Sequence, residues 1–180
     1  MIGDHVSSEN TTFRFLRSSP DFLHALLDNS SACILLLDSN MRLQAFNDAF
    51  RTIFSNKPDE HLLYKRCGEA IGCANHVEEG KDCGETSKCC DCELRKAALM
   101  AYAENLTIFK KRISREFYRV DDRKELRHLQ FSVRSIRFQS TRYVFLLIED
   151  VSHLVELSAE TSKQKDLIEK LQRELGKREI

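Results

Sequence analysis

The sequence predicts an α+β fold: a five-stranded antiparallel sheet with helices on one face, an N-terminal amphipathic helix before it and a C-terminal coiled-coil helix after it. Three observations predict it. Short apolar runs come first as a pair and later as a set of three, with helical spacing between the two groups. The last of these runs, Tyr143 to Ile148, is apolar on both faces, as a central strand is. Beyond Val151 the apolar residues change to alternating steps of three and four, the period of a coiled-coil seam.

At 180 residues and 42% hydrophobic content, the chain suits one compact domain with an appendage, and a core of that size folds without disulfides. The 28 basic and 28 acidic residues balance, so no global field favours nucleic acid or an anionic membrane, and neither is expected as a partner. The opening MIGDHVSSENTTFRF lacks the apolar centre of a signal peptide. No later run approaches the roughly 20 apolar residues that span a bilayer, so a cytoplasmic protein is expected. In a reducing cytosol clustered cysteines, six of the seven here, point to metal binding or redox chemistry rather than to permanent bridges, and an odd total fits poorly with complete pairing.

Residues 1–18 read as a polar leader and 19–150 as the domain. Ser19 and Pro20 form a helix start, and Phe22, Leu23, Leu26 and Leu27 give that helix an apolar side expected to pack on the sheet. Ala32 to Leu37 and Arg42 to Phe46, joined by Asp38-Ser39-Asn40, make a hairpin, with Cys33 as a small core residue of its first strand. Asn47 is placed to cap a helix whose Phe46, Phe50, Ile53 and Phe54 share a face, and a loop from Ser55 to Glu60 ends it. After the insertion 65–92, Leu94, Ala97, Ala98, Ala101 and Tyr102 mark another helix, with Asp91 as its expected cap. Extended segments follow at Leu106 to Tyr118, Leu126 to Phe138 and Arg142 to Glu149. In the coiled-coil helix, 151–180, the seam is Leu154, Leu157, Thr161, Gln164, Ile168, Leu171 and Leu175. A parallel homodimer covers that seam; a single helix folded back on its own domain is the alternative.

The insertion, KRCGEAIGCANHVEEGKDCGETSKCCDC, holds six of the seven cysteines and four of the six glycines but few large apolar side chains. Its ordering therefore needs another source: thiolates on a metal or cluster, or disulfides. Gly72 and Gly84, beside Cys73 and Cys83, let the backbone bend around sulfur and leave N–H groups to donate to it. The last cysteines precede a helix, whose N-terminus stabilises thiolate.

The strand order, Asn47 opening the helix after the second strand, and Glu149-Asp150-Val151-Ser152 leading into the coiled coil together resemble a PAS sensory domain, over roughly residues 20 to 155. The family's Asp-Ile-Thr ending stands here as Asp-Val-Ser. The stretch Gly68-Glu69-Ala70-Ile71-Gly72-Cys73, Cys83-Gly84 and Cys89-Cys90-Asp91-Cys92 resembles a cysteine-rich PAS subgroup of bacterial signalling proteins. Its recurring cysteines match Cys73, Cys83, Cys89 and Cys92, while Cys67 and Cys90 lie outside the pattern. The chain lacks the Asn-Cys-Arg-Phe stretch of a flavin photosensor, and the helix after Cys92 has no histidine for haem, so neither cofactor is expected.

Four thiolates suffice for a zinc ion or an iron–sulfur cluster. Only one short-spaced pair, Cys89 and Cys92, is present, with Cys73 and Cys83 arriving singly, which favours the cluster over zinc; a metal-free thiol–disulfide switch is the third option. Cys67, Cys90 and His76 are candidate additional ligands or redox thiols. No nucleophile with its base, phosphate loop or paired acids stands out, so no enzyme is expected. The resemblance implies a sensor of redox, oxygen or metal state that signals through a dimeric coiled coil to a separate output protein such as a kinase, or that forms the sensory portion of a longer chain. The alternative is a structural zinc-binding adaptor. His153 lacks the flanking residues of a kinase phosphoacceptor site.

Overall fold

The computed structural model describes residues 19–54, 58–119 and 121–176, the last two by backbone alone. The leader 1–18, residues 55–57 of the predicted loop and the side chain of Leu175 lie outside the described residues.

Strands β1 (Cys33–Leu37), β2 (Leu43–Phe46), β3 (Ile108–Tyr118), β4 (Lys124–Phe138) and β5 (Thr141–Asp150) form one antiparallel sheet in the order β2-β1-β5-β4-β3. The doubly apolar strand β5 is central, as its composition requires. Alternate residues of β1, β4 and β5, among them Cys33, Leu35, Phe131, Val133, Leu146 and Ile148, are inaccessible and build the core on the helix-bearing face. Each such side chain contributes about 1.5–3 kcal/mol by leaving water.

Helices α2 (Ala49–Ile53), α3 (Cys67–Ala70), α4 (Ala74–Glu79) and α5 (Glu93–Glu104) follow β2 before the chain returns to the sheet. Of these, α5 lies across β3, β4 and β5, α2 packs on β1 and α4 meets β3. A row of rings, Phe46, Phe50, Phe54 and Phe117, with successive centroids 4.9, 5.5 and 5.6 Å apart, joins α2 to β3.

Three local expectations are corrected. The first helix, α1 (Pro20–Asp28), starts as predicted, Ser19 Oγ accepting from Phe22 N at 3.4 Å, but buries nothing. Phe22, Leu23 and Leu26 are 40, 55 and 50% exposed, and α2, α4 and α5 are among the helices that meet the sheet instead. Asn47 caps no helix. It is buried, accepts from Ile34 N at 2.8 Å, and donates to Leu27 O at 2.7 Å and Ala32 O at 3.0 Å. It thus ties the end of α1, the entry to β1 and the exit of β2 at one point, a nonlocal role that sequence spacing does not display. Asp91 lies in a 3-10 turn, Cys89–Asp91, and Cys92 occupies the N-cap of α5 instead.

The chain leaves the sheet into α6 (Ser152–Gly176) through a polar lock. Asp150 Oδ1 accepts from Ser152 N at 2.9 Å, and Ser152 Oγ accepts from His128 N at 2.9 Å. Arg127 binds Asp150 at 2.7 Å and Glu125 at 3.1 Å, fastening the start of α6 to β4. Farther along, Leu154, Leu157, Ile168 and Leu171 are exposed at 45–63%, an apolar line on an otherwise polar helix. Among the described residues no helix is long and apolar enough to cross a membrane.

Candidate functional site

The cysteine-bearing stretch is ordered by more than sulfur. Ala70, Ile71, Ala74 and Thr86 are buried, so small side chains supply burial that a search for large apolar residues overlooks. Arg66 Nη1 donates to Cys83 O at 2.7 Å, and Glu79 accepts from Ser87 N at 3.0 Å and from Ser87 Oγ at 2.7 Å. Tyr118 N donates to Gly72 O at 2.7 Å, which seats the stretch on β3. Gly72 has φ +72°, and a Cβ there would stand 2.4 Å from Tyr118 O. Its function is close approach to a strand; the expectation that its N–H serves sulfur gives way, since Gly72 N donates to Glu69 O. At Gly84 that expectation holds, with Gly84 N donating to Cys89 Sγ at 3.0 Å.

Between these segments, α5 and the sheet lies a cavity of about 40 Å³, room for water-sized occupants. The four expected ligands Cys73, Cys83, Cys89 and Cys92 all line it, joined by Cys67. Cys67 therefore belongs to the site although it falls outside the family spacing. Cys90 and His76 do not: Cys90 is exposed with Sγ 3.6 Å from Ser87 O, and His76 Nδ1 lies 2.6 Å from Lys81 O. Cys83 packs so tightly on α3 that a Cβ at Gly68 would fall 2.6 Å from its sulfur.

The five cysteines share the lining of one cavity. A tetrahedral zinc with ~2.3 Å bonds needs sulfurs about 3.8 Å apart. Among the described residues no group of three or more His, Cys, Asp or Glu side chains is arranged to hold a metal ion.

Burial, then the neighbouring Cys83 and Cys92, pushes the Cys67 thiol well up from its ordinary value. Burial also raises Cys73, and lifts Cys83 from 9.0 to about 11. Cys89 differs: burial would raise it, but donors from Thr86 and Gly84, with Arg95 nearby, outweigh burial and hold it below its ordinary value. The inner thiols are thus neutral at pH 7, and a bound cation would displace their protons.

Two guanidinium groups line the same cavity. Arg95 of α5 approaches Cys83 and Cys89, its group only 2.9 Å from where a Cβ of Gly84 would be. Arg115 of β3 stands between Ile113 and Phe117 in the alternation, both buried, so it shares the core side of the strand. Its Nε is buried without a hydrogen-bond partner. Five cysteines, the cationic Lys88, Arg95 and Arg115, and an orphaned donor on one cavity suit an anionic, thiolate-bound group such as an iron–sulfur cluster, whose sulfurs accept hydrogen bonds. The arginines were missed in the sequence, although the parity of Arg115 between two apolar strand residues was a usable signal.

No family model matches the sequence, and no curated protein matches it. Among solved structures, an RNA-binding light-oxygen-voltage receptor aligns with TM-score 0.51 and 16% identity, over 94% of this chain and 41% of that one. This chain therefore spans less than half of that protein's length. The PAS domain of nitrogen regulation protein NR(II) from Vibrio parahaemolyticus aligns with TM-score 0.47 and 13% identity, over 71% of this chain and 96% of that one. That of BvgS from Bordetella pertussis aligns with TM-score 0.47 and 18% identity, over 81% and 96%. The fold is that of PAS and light-oxygen-voltage domains.

Proposed function

We propose that this PAS-fold chain is a non-enzymatic sensory module in which Cys73, Cys83, Cys89 and Cys92 hold an iron–sulfur cluster that reports redox, oxygen or metal state. The observation that carries the reading is the gathering of five cysteines on one small cavity, while Cys90 and His76 stay outside it. When bound, such a cluster supplies a one-electron centre whose state depends on oxidants and on iron supply. The single short-spaced pair, Cys89 and Cys92, with Cys73 and Cys83 arriving singly, supports a cluster over a single zinc ion. This reading keeps the chain within the cysteine-rich group of PAS signalling proteins that its spacing resembles.

The residues of the chain give the signal a route. Cys92 is the N-cap of α5, so a change in its position acts on a helix that lies on β3, β4 and β5. Strand β5 ends in Asp150, which holds Arg127 and the first N–H of α6. Transmission requires two arrangements of α5 against the sheet that the cofactor state biases unequally. The exposed seam of α6 is covered by the same seam of a second copy, forming a parallel homodimer, and a separate cytoplasmic effector such as a kinase reads the change in that coil.

Anaerobic purification followed by iron, sulfide and zinc analysis tests the reading. Equal amounts of iron and acid-labile sulfide with a coloured spectrum are expected. Stoichiometric zinc, untouched by oxygen and required for folding, would transfer the protein to the structural zinc class.

A further inference from the structure

We infer that Arg115 is a positioning residue for the group held in the cysteine cavity: its orphaned Nε–H donates to a sulfur of that anionic group and raises its reduction potential. This rests on the cluster reading above. Strand β3 alternates exposed residues with the core residues Ile113 and Phe117, and Arg115 interrupts the buried set with a permanent charge. Among the described residues no carboxylate forms an ion pair with it. The residue directly opposite on β4 is Arg127, a like charge already neutralised by Glu125 and Asp150. Its Nε has no hydrogen-bond partner, and a buried unsatisfied donor of this kind is rare unless a ligand completes it.

The location supports the same conclusion. Arg115 lines the cavity with the five cysteines, and the isolated bridge between Cys73 and Phe117 holds β3 against the ligand stretch two residues away. Arg115 also stands close to Cys73. Reduction adds one negative charge to the bound group, and a fixed positive charge with a donor aimed at its sulfur stabilises the reduced form more than the oxidised one.

The test compares wild type, Arg115→Met and Arg115→Lys after anaerobic reconstitution with iron and sulfide. Each is titrated potentiometrically with dithionite, which gives one electron per cluster while Arg115 keeps its proton. In Arg115→Met the oxidised-to-reduced ratio at a given potential should rise at least tenfold, a shift to lower potential of about 59 mV for one electron. Arg115→Lys should recover part of that shift. The metal-free Arg115→Met protein should be no less heat-stable than wild type, since it loses a buried unpaired donor. Fully loaded Arg115→Met with an unchanged potential would overturn the inference, and the more so if its metal-free form were less stable, the mark of a structural role. Wild type that takes up neither iron nor sulfide would instead overturn the cluster reading, and this inference with it.

Discussion

Replacing Gly68 by alanine should separate the fold from the site. In the structure an added Cβ would lie 2.6 Å from Cys83 Sγ and 3.0 Å from Cys83 Cβ. Ordinary contacts between such atoms are about 3.5–4 Å, so the sulfur must retreat by roughly 1 Å. Metal sites tolerate errors of about 0.2 Å in ligand distance, so a displaced Cys83 is lost as a ligand. The backbone of Gly68 is not left-handed, and alanine gains about 1 kcal/mol over glycine inside a helix. Overpacking costs about 1–3 kcal/mol, so the net loss of fold stability is about 0–2 kcal/mol. Reconstitution under anaerobic conditions should therefore give at least tenfold less iron and sulfide per chain, while the metal-free variant melts cooperatively within several degrees of wild type. Loading equal to wild type would refute the reasoning, because it would mean that Cys83 need not stand where the structure puts it.

Asn47→Ala removes three hydrogen bonds around Leu27, Ala32 and Ile34, and should cost about 2–4 kcal/mol in urea denaturation; a loss below about 1 kcal/mol would show that Asn47 is not the tie described here. Metal-free protein should weaken in alkali. The raised Cys83 thiol contributes stability that is complete below the ordinary value of 9.0 and is lost as pH rises through about 11, and the buried Cys67 thiol, also raised well above 9.0, adds to the alkaline loss, so melting temperature should fall above pH 9. Cys67→Ser should flatten that fall, and an unchanged slope would count against the burial of this thiol. Ile168→Glu places charge on the exposed seam of α6, and sedimentation should then report monomers with the domain's own melting unchanged; a persistent dimer would place the contact elsewhere.

The sheet was legible because alternation and turn residues are local signals: Gln130, Ser132 and Arg134 against Leu129, Phe131 and Val133 fix which face of β4 is buried. Strand β5 declared its central place by being apolar throughout. The tie at Asn47 was not legible, since its three partners lie 13 to 20 residues away and its neighbours imitate a helix cap. Likewise α1 carries a real apolar side, yet periodicity cannot say whether a surface remains for it to cover. In the site, cysteine spacing gathered four residues that the structure brings to one cavity, but spacing could not rank Cys67 above Cys90. That ranking depends on where α3 and the 3-10 turn point their side chains. Alanine and isoleucine burial in α3 and α4 also escaped a reading tuned to large apolar residues.

X-ray absorption at the iron and zinc edges of protein purified without oxygen bears most directly on the cavity. Iron with sulfur as its nearest neighbours and other iron atoms just beyond, abolished in Cys73→Ser or Cys83→Ser, is the result expected. Metal surrounded by nitrogen and oxygen, or colourless protein with neither iron nor zinc and all its thiols open to alkylation, would contradict a cofactor held by these cysteines.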